Sequence, residues 1–519
     1  MLAHLFNTSV ITGEVKVMSL NRVVSTHKRA EFRTWFGLLI LMLPVLLVTV
    51  DNTILGFALP KIARALEPSA NQQLWIIDAY SLVLAGLLVS MGNIGDRVGH
   101  RLLLLSGSLG FTIVSVMTAL SSSPEQLIAG RAALGFFGAM LMPSTLALIS
   151  HLFTDREQRR LAIAIWATTL TVGSALGPVI GGVLLQYFNW QAIFLLAVPV
   201  LVPLLVFAPI LLPESDKKQI GVIDGYSVLL SIIAMAGIVY AIKHVASDGF
   251  EVSVIVEFAI GLIAGTLFIR RQQSLQIPLM DISLFRNGAF TGSIIVNLLS
   301  LGLLIGFVFF ATQYLQIVLN MKPLAASLAL VPGQIMAIVF GMVIVPIAQR
   351  VPSHWLVPLL LALAGTAFLL IACVGSNLTS IVIAFALLSI GVGAIASVSN
   401  DLVLSAVPSS KAGAASAISE TAYEVGVVFG TTILGGLVTA FYRLNLQLPK
   451  SISQEQAGLA LETLAGAYVI AASLIETEGR QLMDAAAHSF TSAIHITSWL
   501  TVVLAGCVVL MASYLLRKL

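Results

Sequence analysis

Apolar runs of about 20 residues recur along this chain, and that length decides which solvent it folds in. A helix needs about 20 mostly apolar residues to cross the hydrocarbon of a bilayer. Runs of that kind lie near 35–59, 72–93, 102–121, 125–149, 161–186, 191–212, 221–243, 252–269, 289–315, 327–348, 356–374, 379–399, 412–441 and 494–515. Of the 519 residues only 10% are charged and 58% are hydrophobic, where a soluble domain carries about 25% charged residues. Such a chain lacks the polar groups to cover a water-exposed surface. The expected fold is an all-α membrane protein with fourteen transmembrane helices, because in lipid a helix satisfies its own backbone.

The loops test the count. With the N-terminus placed in the cytoplasm, nineteen of the 27 Lys and Arg residues fall on the inner side and seven on the outer, leaving Arg131 inside a span. The outer set is Lys61, Arg64, Lys243, Lys322, Arg443, Lys450 and Arg480. This is the asymmetry of the positive-inside rule, and it predicts both termini in the cytoplasm. Losing one span would invert every later loop, so an even number is favoured. Residues 1–34 form a polar tail, basic near its end (Lys28, Arg29, Arg33), and Met18 is an alternative start. No cleaved signal peptide is expected, since the first apolar run is long enough to span.

Several function classes are excluded at this level. A formal charge of +3 is too small to suggest nucleic acid. Cys373 and Cys507 both fall in apolar runs and are expected to pack inside helices. The histidines lack ligand spacing, so no metal site is expected. No phosphate-binding Gly-x-x-x-x-Gly-Lys-Ser/Thr sequence occurs, so ATP-driven pumping by this chain is not expected. One loop is long, from Tyr442 to about Ala493, with expected helices at Gln454–Ala472 and Glu476–Ser489. It reads as an amphipathic outer cover, or as a gating or partner element.

Between the second and third spans stands Gly92-Asn-Ile-Gly-Asp96-Arg97-Val-Gly99-His100-Arg101. The glycines suit a tight turn at a helix end. Asp96, Arg97 and Arg101 supply charges that can pair with a neighbouring helix end, closing one conformation and releasing in another. In this position the stretch resembles the signature loop of the major facilitator superfamily, with His100 where that family usually has a second basic residue. Leu127-x-x-x-Arg131-Ala-Ala-Leu-Gly135-Phe-Phe-Gly138 is similar to the fourth-span motif, whose buried arginine the resemblance links to proton coupling. A mid-span charge costs at least ~2.5 kcal/mol, which argues against a passive Arg131. Gly173-Ser-Ala-Leu-Gly177-Pro178-Val-Ile-Gly181-Gly182 resembles the motif associated with exporters in this superfamily. Small residues four apart permit close helix approach, and Pro178 removes a backbone hydrogen bond.

Three further stretches narrow the resemblance. Val50-Asp51-Asn52-Thr53-Ile-Leu-Gly56-Phe-Ala-Leu-Pro60, Asn189-Trp190-x-x-Ile-Phe and Pro278-Leu-Met-Asp281 are similar to the fourteen-span drug:proton antiporters, and most of all to the QacA- and SmvA-type exporters of quaternary ammonium compounds and cationic biocides. That resemblance implies two six-helix bundles, at 35–212 and 289–519, with the seventh and eighth spans inserted between them in 213–288. Pro346-Ile-Ala-Gln-Arg350 sits where the second bundle would copy the Asp96 loop, in eroded form.

Four acids are not explained by loops: Asp51, Asp78, Glu420 and Glu424. Glu420 and Glu424 are four apart and share one face of the thirteenth span, about one turn from each other. Two carboxylates so placed in low dielectric should titrate as a unit. A site that trades a proton for a cation needs that property. Asp78 alternatively caps its span near the outer interface, and Glu420 alternatively pairs with Lys411. Trp75, Trp166, Phe309, Phe310, Tyr314 and Tyr423 could offer aromatic faces to a delocalised cation, though core packing is the more frequent role for each. Members of the resembled family that handle divalent cations often carry another acid in the tenth span; residues 327–348 contain none, so the resemblance argues against equal handling of dications unless the two acids of the thirteenth span substitute.

The expected function is therefore an inner-membrane antiporter, acting as a monomer without a cofactor, that exports lipophilic organic cations in exchange for protons. The rival readings are a transporter of the same fold used for uptake or for a metabolite or lipid, and a membrane enzyme or sensor. No nucleophile–base pair or metal cluster supports the last.

Overall fold

The computed structural model describes residues 32–153, 155–214, 224–276, 278–407, 412–449 and 452–516. The N-terminal tail with Met18, Lys28 and Arg29, and the loop bases Lys217, Lys218, Lys411 and Lys450, lie outside them. Among the described residues fourteen helices are long and apolar enough to cross a membrane. The first six are α1 (Phe32–Leu66), α2 (Ala70–Val98), α3 (His100–Ala119), α4 (Pro124–Leu152), α5 (Arg156–Tyr187) and α6 (Ala192–Leu211). A helical hairpin follows, α7 (Gly225–Asp248) and α8 (Val252–Ser274). Next come α9 (Gly288–Gln313, with a π turn at Tyr314–Val318), α10 (Pro323–Ala348), α11 (Ser353–Val374) and α12 (Leu378–Ser405). The thirteenth span, α13, runs from Ala412–Gly430 through a π turn at Thr431–Gly435 into Gly436–Asn445. Two short helices, α14 (Gln454–Glu462) and α15 (Leu464–Ser473), precede the long α16 (Glu476–Leu515).

Short polar residues set the helix starts. Ser69 accepts from the Gln72 amide while the Gln72 side chain accepts from the Ser69 amide, so two otherwise orphaned donors at the start of α2 are satisfied. Asn377 and Ser380 cap α12 in the same reciprocal way, while Ser123 before Pro124 and Asp155 accept from first-turn amides of α4 and α5.

The packing repeats. α1 lies on α5, α2 on α4, and α3 on both α4 and α6. In the second half α9 lies on α13, α10 on α12, and α11 on both α12 and α16. Helix for helix this is the same six-membered bundle twice. Across the seam α2 meets α13 and α5 meets α10, so the two halves use equivalent helices. The α7–α8 hairpin rests against α2 and the later part of α13. Gly237 and Gly261 let its two helices cross at backbone contact, since a Cβ at Gly237 would stand 2.9 Å from the Gly261 backbone.

The seam is closed at the end that carries the α1–α2 junction. There Gln316, in the π turn after α9, donates to the Phe57 carbonyl at 3.1 Å. Gly182 of α5 makes room for Leu324 and Ser327 of α10, and the Arg64 guanidinium stands 3.9 Å over the Tyr468 ring of α15. Toward the other end the seam loosens. The buried residues of α10 are Ala326, Ser327, Leu330 and Gly333 in its first half and only Ile344 in its second.

The structure departs from the sequence reading in several places. The tight turn expected in Gly92–Arg101 is confined to one residue: α2 continues to Val98, α3 begins at His100, and the whole reversal falls on Gly99 at φ +103°. Glycine is needed there because side-chain-bearing residues rarely reach that region. The expected helix over 454–472 breaks at Thr463, which caps α15 with its hydroxyl. The expected helix over 476–489 is continuous with the last span in one helix of 40 residues. Cys373 and Cys507 lie in helices but on exposed faces, not packed inside. Lys243, counted above as an outer-loop base, is fully buried within α7.

Candidate substrate and proton site

The glycine motif of α5 seats the segment of α1 that carries Asp51. On α5, a Cβ at Gly173 or Gly177 would meet the hydroxyl of Thr49 or Thr53 at 1.9 Å, and one at Gly181 would meet Ile54 at 2.6 Å. These glycines, with Pro178 between them, form the groove that receives one face of α1. Thr49 and Thr53 turn their hydroxyls back onto carbonyls of their own helix. The α1 segment so seated also carries Asp51 and Asn52.

Asp51 is neutralised inside the first bundle. Its Oδ2 accepts from Nη1 of Arg131 on α4 at 2.5 Å. Arg131 is 1% exposed, donates its Nε to the Ile76 carbonyl at 3.1 Å, and stands 4.5 Å over the Tyr80 ring. The guanidinium thus joins α1, α2 and α4 through three different interactions. A lysine could not make all three.

Asp78 is also neutralised, but by a residue from outside both bundles. Its Oδ2 lies 2.8 Å from Nζ of Lys243 on α7, and both side chains are fully buried. Thr432, in the π turn of α13, donates to the same carboxylate at 3.0 Å. The ammonium sits 3.9 Å over the Trp75 ring, so the aromatic face considered above for a substrate is taken by an internal cation. The cap at the start of α2 is Ser69, so the alternative reading of Asp78 as an interfacial cap does not hold. Burying each of these charges costs several kcal/mol before pairing returns it.

Glu424 is different. One carboxylate oxygen accepts from Nδ2 of Asn52 at 3.1 Å, which joins α13 to α1 across the seam. The other, Oε2, is buried and has no hydrogen bond of normal length among the described residues. Arg131 and Asp51 lie in its electrostatic surroundings and Ser81 of α2 stands beside it. Glu420, one turn earlier on α13, has no hydrogen bond or ion pair among the described residues; its alternative partner Lys411 lies outside them. Tyr423 points away from Glu424 and donates to Asn400 Oδ1 on α12 at 3.3 Å. Trp166 donates to Thr145, Tyr314 to the Ser376 carbonyl, and Phe309 and Phe310 are in the apolar core.

The junction of α2 and α3 holds a second charged group. Asp96 Oδ1 lies 3.4 Å from Nε2 of His100, which is buried against Gly95. Arg101 donates to Glu214 at 3.2 Å and to the carbonyls of Leu212 and Pro209 at the end of α6. These carbonyls are left without helical partners by the end of α6. Gly92 faces Pro143 of α4, and Arg97 occupies the last turn of α2. The pairing of Arg101 is therefore within the first half, with α6, and not across the seam.

The profile of the Major Facilitator Superfamily matches residues 41–431. The chain belongs to this superfamily. The multidrug efflux pump LfrA of Mycolicibacterium smegmatis is 48% identical over 93% of this chain and 96% of its own length. The methyl viologen resistance protein SmvA of Salmonella typhimurium is 31% identical over 88% of this chain and 93% of its own. Among solved structures, an inward-facing, unoccupied bacterial homolog of the human lysosomal transporter Spinster superposes with a TM-score of 0.66 at 17% identity, covering 94% of this chain and 99% of that one. The last comparison concerns the fold alone. The major facilitator fold is thus present with its two six-helix bundles and two added helices, and the chain is a multi-pass membrane transporter.

Of the expected site residues, Asp51 with its partner Arg131 lies near Glu424, where Asn52 of α1 reaches α13, Glu420 stands one turn away on α13, and Asp78 occupies a junction of its own. Sequence reasoning missed Lys243, Asn52 and Thr432. It also missed Glu257 on α8, 3.0 Å from Nδ1 of His244 on α7. A usable signal existed for Lys243: lone charges of opposite sign in apolar runs tend to find each other.

Proposed function

We propose that this chain is a proton-coupled multidrug efflux antiporter that exports lipophilic organic cations, such as quaternary ammonium compounds, dyes and cationic biocides, from the cytoplasm. The observation that carries the reading is Glu424 at the seam, a buried carboxylate with no ion-pair partner among the described residues. Asp51 and Asp78 each hold a fixed cation, Arg131 and Lys243. Uncompensated negative charge is therefore concentrated on Glu424 and Glu420, where either a proton or an organic cation can neutralise it. Occupation by one excludes the other, and that exclusion is the requirement for antiport. Relatives whose printed names are those of a multidrug efflux pump and a resistance protein support the direction of transport.

The protein acts in the cytoplasmic membrane, as a monomer, with both termini inside and without a bound cofactor. The energy comes from the proton gradient, with one elementary charge crossing 100 mV worth about 2.3 kcal/mol. One proton in for one monocation out moves no net charge and draws on the pH difference alone. Two protons per cation would also engage the voltage.

The test uses inverted membrane vesicles acidified inside and challenged with ethidium, a quaternary ammonium salt and a bis-biguanide. Each transported cation should release protons from the lumen. Absence of any substrate-induced release would overturn antiport.

A further inference from the structure

The buried pair Asp78–Lys243 has features that stability alone does not require. It is completely enclosed, although an apolar pair of the same volume would avoid the desolvation of both ions. It stands where three independently packed parts meet: α2 of the first bundle, α7 of the inserted hairpin, and the π turn of α13 in the second bundle. π turns of this kind recur at functional positions. It also lies on the closed side of the seam. One turn before Asp78, Leu74 packs against Gly435, and a Cβ at Gly435 would stand 3.0 Å from the Leu74 side chain. The hairpin that brings Lys243 is itself a rigid unit, closed by Asp224–Arg271 at one end, by the Gly237–Gly261 crossing in the middle and by His244–Glu257 at the other.

We propose that Lys243 is a positioning residue of the transport cycle, a tethered counter-cation through which the inserted hairpin locks α2 to the π turn of α13 while this end of the seam is closed. Alternating access has to separate α2 from α13 here. Separation removes Thr432 from the Asp78 carboxylate and admits water to the ion pair, so the lock holds only in the closed arrangement. The added helices are then a working part of the gate and not a passive spacer between bundles. The inference extends the proposed transport function, but its test does not depend on any substrate.

The experiment uses the full chain in detergent, with Cys373 and Cys507 replaced by serine and Leu74→Cys introduced as a reporter on the closed seam. Labelling by a hydrophilic maleimide is compared in this background, in Lys243→Met and in Asp78→Asn/Lys243→Met. Lys243→Met leaves a buried carboxylate uncompensated and is accompanied by the double variant, which buries no net charge and should remain monodisperse. The expected result is a rise of five-fold or more in the labelling rate in the double variant, with Thr432→Val giving a smaller rise in the same direction. An unchanged labelling rate in the double variant overturns the lock. Ethidium-driven proton release, measured in parallel, should fall at least ten-fold in the double variant, and wild-type release in the double variant also overturns it. If the wild type itself shows no release, the transport reading fails while the labelling rates still decide on the lock.

Discussion

Arg131 and Asp51 meet at 2.5 Å between α4 and α1, and the same guanidinium holds the Ile76 carbonyl of α2. Two mid-span charges that each look like a transport site in isolation are therefore partners. Their pairing leaves Glu424, hydrogen-bonded to the next residue Asn52, as a buried seam acid with no ion-pair partner among the described residues.

Removing one member of that pair should be worse than removing both. Arg131→Met leaves the Asp51 charge buried without compensation, a loss of about 3–5 kcal/mol in comparable sites. Asp51→Asn/Arg131→Met should recover most of that loss in thermal stability, yet still transport ethidium at least ten-fold more slowly than wild type. Arg131→Lys should fold but transport poorly, because one ammonium cannot serve Asp51, Ile76 and the Tyr80 face together. A double variant no more stable than Arg131→Met would mean that the pair is not coupled.

Glu424→Gln keeps the volume and an acceptor for Asn52 while removing the exchangeable charge. Ethidium-driven proton release should disappear, with the thermal midpoint within a few degrees of wild type. Glu420→Gln should reduce release without abolishing it, since Glu424 retains its contact with Asn52. Full activity of Glu424→Gln would remove this residue from the mechanism.

The α5 glycines shape the α1 segment that carries the site. Gly177→Ala would drive a methyl group to 1.9 Å from Thr53 Oγ1, so α1 must shift. Overpacking of this kind typically costs about 1–3 kcal/mol. Thr53→Ala in the same chain should restore a large part of the stability and of the ethidium efflux rate. Failure of that second change to help would show that the clash is not local.

At the membrane edge, Asp224 caps α7 and accepts two hydrogen bonds from Arg271, at 2.6 and 2.9 Å. Chiefly these bonds, with help from Ser227, hold its carboxyl down to about 2. A carboxyl whose folded value is depressed stabilises the fold above its unfolded value of about 3.9, and loses that contribution as pH falls toward 2. Arg271→Ala should therefore lower the thermal midpoint at pH 6, and the gap to wild type should narrow between pH 4 and pH 2.5. A gap that stays constant over that interval would contradict the pairing.

Much of the architecture was legible in the chain because lipid allows so few solutions. A run of 20 apolar residues has to become a helix, and loop charge then orders the helices, so all fourteen spans were found with end errors of a few residues to about a turn or two at most helices. The largest errors were at the end of α1 and the start of α16, where helix continues beyond the apolar run. Apolar length cannot detect this, because an amphipathic extension in water is as helical as the span. The glycines of Gly92–Arg101 suggest a turn without locating it, and only Gly99 has a positive φ there. A glycine is permitted unusual backbone angles without being obliged to adopt them.

The site divides along the same line. That Asp51, Asp78, Arg131, Glu420 and Glu424 are costly in a membrane follows from residue type and position alone, and so does the close approach available to Gly173, Gly177 and Gly181. The partner of each charge does not follow. Asp51 and Arg131 are 80 positions apart, and Asp78 lies 2.8 Å from Lys243, a residue of a different structural unit. Sequence determined the solvent, the number of helices and which charges need an explanation, because those depend on the transfer of single residues into lipid. Tertiary structure alone decided which acids are neutralised and which, Glu424 above all, have no ion-pair partner among the described residues, because pairing energy depends on distance across helices that the chain order does not make neighbours.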